Sequence, residues 1–60
     1  MNDLIYEIER AASDLRDLQD DRSNYERQNA HGMVSVVNGE IKRMRAYLAG
    51  LQKAKELIDG

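Results

Sequence analysis

The sequence predicts an all-α fold: an antiparallel helical hairpin whose arms meet along a coiled-coil seam and which dimerises into a four-helix bundle. Three observations predict it. Apolar residues recur at alternating spacings of three and four in each half of the chain, the period of a helix that faces another helix. The break between the halves is short and holds a glycine, and breaks of a few residues leave successive helices antiparallel. Proline is absent and 33% of the residues are charged, a composition of long uninterrupted helices.

Helix one is predicted over about 3–29. Asn2 or Asp3 can cap its first free N–H groups, and a carboxylate there sits beside the positive end of the helix. Its seam runs through Met1, Leu4, Ile8, Ala11, Leu15, Leu18, Arg22, Tyr25 and Asn29. A turn is predicted over about 30–32, where Gly32 can adopt the left-handed conformation that closes a helix and Asn29 tolerates it.

Helix two is predicted over about 33–59, with Val34, Val37, Ile41, Met44, Leu48, Leu51, Lys55 and Ile58 as its seam. The β-branched run 33–37, followed by Asn38-Gly39, also permits a short strand with Asn38 capping a later helix. Against the strand, Val34 and Val37 continue the heptad of Ile41 and Met44 without a slip. A lone strand would also need a partner chain. The helical reading makes the arms match and puts Gly39 and Gly50 on the outer side of helix two. Asp59-Gly60 is expected to fray.

Sixty residues form one small domain, 1–60, and ordering them outweighs what a single seam between two helices supplies. Ile5, Ala12, Met33, Tyr47 and Ala54 widen the seams towards the pattern of bundle helices. A homodimer of hairpins is therefore expected, with Leu4, Ile8, Leu15, Leu18, Tyr25, Val37, Ile41, Met44, Leu48, Leu51 and Ile58 as its core and dimer residues. Of the polar seam positions, Asn29 and Lys55 lie near helix ends, where stems pack and heads reach water. Arg22 lies two turns inside and calls for a specific partner, such as a carboxylate from another helix.

Composition narrows the function classes. Without cysteine there is neither a disulfide framework nor a thiolate metal site. The first residues lack the basic start and apolar run of a signal peptide. The longest mostly apolar stretch, 46–51, is far short of the ~20 residues that span a bilayer. The expectation is a soluble, cytoplasmic protein with no membrane partner.

Catalysis needs a constellation, and none is visible, so a non-enzyme without cofactor or metal is expected. His31 is the sole histidine, with no metal-ligand spacing around it, and reads as a polar turn residue. Ser13, Ser23 and Ser35 have no base near them in sequence, and no Gly-rich phosphate loop occurs. Of the tyrosines, Tyr25 belongs to the seam, Tyr47 flanks it, and Tyr6 points the other way.

Charge is split between the arms: residues 1–30 carry eight acids and four arginines, residues 31–60 three acids and five basic residues. The asymmetry favours antiparallel pairing and specificity more than stability. Two surfaces are candidates for a protein partner. One is the acidic stripe of helix one, containing Asp3, Glu7, Asp14, Asp17 and Asp21 and interrupted by Arg10. The other is the small-residue surface of Ala46, Ala49 and Gly50. A solvated face partly matched to helix two explains the acidic stripe more simply, since charge runs on helices usually serve solubility. As an alternative, Lys42, Arg43, Arg45 and Lys53 could contact nucleic-acid phosphates, although the acidic balance and missing stacking platform oppose it. The function expected is a small non-catalytic interaction or regulatory module that homodimerises and presents a charged helical surface to a protein.

Overall fold

A computed structural model describes residues 3–60, so the expectations for Met1 in the seam and Asn2 as a cap lie outside the described residues. Helix α1 spans Asp3–Arg27 and helix α2 spans His31–Asp59. Residues 33–39, with their β-branched run, lie within α2, and no strand occurs among the described residues. The unbroken heptad decides this, because slipping into a strand would turn Val34 and Val37 off the face that covers α1. Asp3 stands in the first turn of α1.

The turn occupies 28–30, earlier than the expected 30–32, and Gly32 does not close the helix. The left-handed residue is Asn29, at φ 56°, and no glycine has a positive φ. The Ala30 N–H donates to the Tyr25 carbonyl at 2.9 Å and the Asn29 N–H to the Glu26 carbonyl at 3.1 Å. These are the two bonds of a Schellman motif, which satisfy the last carbonyls of a helix. Ala30 and Tyr25, both half-buried, occupy the positions whose apolar contact accompanies that motif. Asn29 is thus a turn residue and not a helical seam position, and His31 opens α2 instead of lying in the turn.

α2 begins without a side-chain cap on Ala30 and without an acid in its first turn. At its other end α2 runs to Asp59, and the Gly60 N–H donates to the Glu56 carbonyl at 2.7 Å.

The core is the seam. Ala11, Val37 and Ile41 are buried, at 3–5% exposure. Leu4, Ile8, Leu15, Leu18 and Tyr25 on α1 and Met44, Leu48 and Leu51 on α2 are half-buried. Ile58 is 76% exposed in the single hairpin. The register explains this. Arg22 meets Asn38, and Glu7 meets Tyr47, which carries the end of α2 past Asp3 and leaves Ile58 exposed.

The hairpin measures 45 × 17 × 12 Å with a radius of gyration of 14.0 Å, whereas a compact chain of this length has about 10 Å. Two helices side by side make a single layer. Among the described residues none falls below 2% exposure.

Candidate interaction surfaces

Each helix carries two flanks beside its seam, set by the seven-residue repeat. On α1 one flank is apolar to neutral, with Ile5, Ala12 and Gln19, and the other is acidic, with Glu7, Asp14 and Asp21. The antiparallel crossing lays the acidic flank beside the α2 flank that holds Met33, Glu40, Tyr47 and Ala54. The Tyr47 hydroxyl joins the two, donating to Glu7 Oε2 at 2.9 Å. That hydrogen bond, and the negative charge behind it, raise the Tyr47 pKa above the ordinary 10.0. A shallow depression between Glu7, Arg10, Asp14, Met44 and Tyr47 follows the same junction.

The opposite face holds the other cross-helix bond. Arg22 Nη1 donates to Asn38 Oδ1 at 3.3 Å, so the partner of this inward arginine is an amide oxygen where a carboxylate was expected. Lys55 also finds a partner, but on its own helix: Asp59 Oδ2 lies 2.8 Å from its Nζ. The bond and charge of Asp59 raise the Lys55 pKa above its ordinary 10.5.

Asp14, Asp17 and Asp21 are all exposed, as are Ala46, Ala49 and Gly50. Asp17 lies one stripe further from the seam than Asp14 and Asp21, so the three form a band on the outside of α1. Lys42, Arg43, Arg45 and Lys53 are exposed on α2. Lys42, Arg45 and Lys53 share the outer stripe of Ala46 and Ala49, while Arg43 and Gly50 lie along its edge on the Tyr47 side. Among the described residues no group of His, Cys, Asp and Glu side chains is arranged to hold a metal ion. None of the described helices is long and apolar enough to cross a membrane.

α2 carries a second periodic run beside its seam. Shifting every α2 seam position back by one residue gives Met33, Val36, Glu40, Arg43, Tyr47, Gly50, Ala54 and Leu57, a second run with the same spacing. A shift of one residue is ~100° around a helix, so this run lies beside the seam, with Glu40 and Ala54 half-buried and the Tyr47 hydroxyl reaching Glu7 of α1. Met33 is 44% exposed, Val36 53%, Tyr47 50% and Leu57 76%. The signal was present in the sequence, but divided: Met33, Tyr47 and Ala54 read as a widened seam, and Arg43 and Gly50 as parts of outer patches.

The chain matches no family model, no curated protein and no solved structure.

Proposed function

We propose that this chain is a non-catalytic interaction module that homodimerises into a four-helix bundle and presents a charged helical surface to a protein partner. The observation that carries the proposal is the thinness of its interior: only Ala11, Val37 and Ile41 are buried among the described residues. A domain of this size needs a larger covered core, a metal, a disulfide or a second subunit to be stable, and cysteine is absent. A second copy laid beside the half-buried seam, over exposed side chains such as Met33, Val36 and Tyr47, supplies that cover. The acids Asp14, Asp17 and Asp21 stay on the outside of α1, where a basic protein surface can meet them, and the small side chains of Ala46 and Ala49 leave room for another helix to approach. Multi-angle light scattering at micromolar concentration tests the dimer, and a monomeric mass there refutes it. For the partner surface, replacing Asp14, Asp17 and Asp21 by Asn should abolish capture of the partner in a pull-down while leaving the dimer mass unchanged.

The exposure of Lys42, Arg43, Arg45 and Lys53 favours a second reading, a nucleic-acid-binding dimer. None of the four forms an ion pair with a described residue, so all are free to neutralise phosphates. A gel-shift titration at low and at moderate salt decides it: no complex at either excludes this reading.

A further inference from the structure

Resting on the dimer just proposed, we infer that the two copies meet through this second stripe of α2, beside the seam, crossed antiparallel about a two-fold axis between Glu40 and Arg43. The stripe is apolar or small at six positions and charged at two, and the two charges are adjacent and opposite. That arrangement selects a direction. Parallel pairing would stack Glu40 on its own copy and Arg43 on its own copy, two like-charge contacts at the centre of an apolar face. Antiparallel pairing about that axis sets Glu40 against Arg43 of the partner subunit, and symmetry repeats the contact. Oppositely charged groups at core positions fix register and orientation in this way.

The same register matches volumes. Met33 falls opposite Gly50 of the partner subunit, and the space over Gly50 is open, with nothing within 4 Å of where a Cβ would lie. Val36 falls opposite Tyr47 of the partner subunit, whose ring is half exposed in the single hairpin. Large against small and aliphatic against aromatic are the pairings that close a helix interface without voids. In each layer a residue reached by a three-residue step meets one reached by a four-residue step, the layering of antiparallel coiled coils. A depression bordered by Leu18, Glu40, Arg43, Met44 and Tyr47 lies at the middle of this face, where the charged pairs would seat. Gly50 and Arg43 are then part of the dimer contact, so the protein-partner surface of α2 narrows to Ala46 and Ala49 and the basic surface left open to phosphates to Lys42, Arg45 and Lys53.

Charge exchange tests the inference. The mass of the full chain is measured by sedimentation equilibrium, with helicity followed by circular dichroism. Glu40→Arg and Arg43→Glu each turn two attractive contacts into two repulsive ones and should weaken the dimer about tenfold or more. The double variant restores the pairs and should recover the wild-type dissociation constant. Mixing the two single variants in equal amounts should give a heterodimer tighter than either homodimer, a result that a merely unfolded variant cannot produce. Lys53→Glu, a charge reversal outside the stripe, should leave the mass unchanged. A wild-type dimer that the single exchanges leave unaltered, or that the double exchange fails to recover, overturns this interface while leaving dimerisation intact. A monomeric wild type overturns both.

Discussion

The hairpin turn gives the sharpest test of how this chain closes on itself. Asn29 sits at φ 56°, a region where a side chain with a Cβ crowds the following carbonyl at a cost of about 1–2 kcal/mol, reduced for asparagine and absent for glycine. Replacing Asn29 by Ala keeps both Schellman bonds, since these are made by main-chain N–H groups, and removes only the tolerance for that φ. The expected loss is about 1 kcal/mol, which for a domain of this size moves the melting midpoint down by roughly 4–8 °C. Asn29→Val, branched at Cβ, should cost more, and Asn29→Gly should equal or exceed the parent. Urea denaturation followed at 222 nm gives the differences. All four proteins must be held at one concentration, because assembly adds to apparent stability. The decisive quantity is the order, Gly at or above Asn, then Ala, then Val. If Gly falls as far as Ala, the left-handed turn does not govern closure and the assignment of Asn29 is wrong.

Three further outcomes are expected. Ile41→Ala, at a position 3% exposed, should cost about 2–4 kcal/mol in the same assay, whereas Ile58→Ala, 76% exposed, should change stability by less than about 0.5 kcal/mol; equal effects would contradict the register. Gly39→Ala should stabilise by about 1 kcal/mol, because a methyl group there meets nothing within 4 Å; a loss of stability would mean that a neighbour occupies that space. The raised Tyr47 pKa makes the contribution of its bond to Glu7 complete below the free phenol value of ~10. That contribution is lost as pH rises through the higher folded-state value. In a Tyr6→Phe/Tyr25→Phe background, Glu7→Gln should shift the phenol absorbance midpoint to lower pH, and an unmoved midpoint would dissolve the Glu7–Tyr47 link.

The fold was legible because the two stripes leave little choice: a helix that repeats Leu4, Ile8, Ala11, Leu15 and Leu18 on one side has to cover that side. The turn was less so. Gly32 is the loudest stop signal in the chain, yet closure is made by main-chain bonds around Asn29, which the sequence marks only as tolerant of the left-handed conformation beside a glycine that adopts it freely. Ile58 keeps perfect heptad spacing and is still 76% exposed, since spacing tells which face a residue shares and not how far along the other arm its partner lies. Contacts between flanks, Tyr47 with Glu7 and Arg22 with Asn38, depend on register between arms forty and sixteen residues apart in sequence. Heptad spacing alone leaves that register free. The surfaces proposed for a partner, Asp14, Asp17 and Asp21 on α1 and Ala46 and Ala49 on α2, are solvent-facing in the hairpin.

The slenderness of the hairpin bears on how its assembly should be weighed. A radius of gyration of 14.0 Å is that of a compact protein of roughly 130 residues, about twice this chain. Sizing by elution or diffusion, calibrated with spherical standards, would therefore make a solitary hairpin look like a pair. Only methods that report mass independently of shape can distinguish one rod from two.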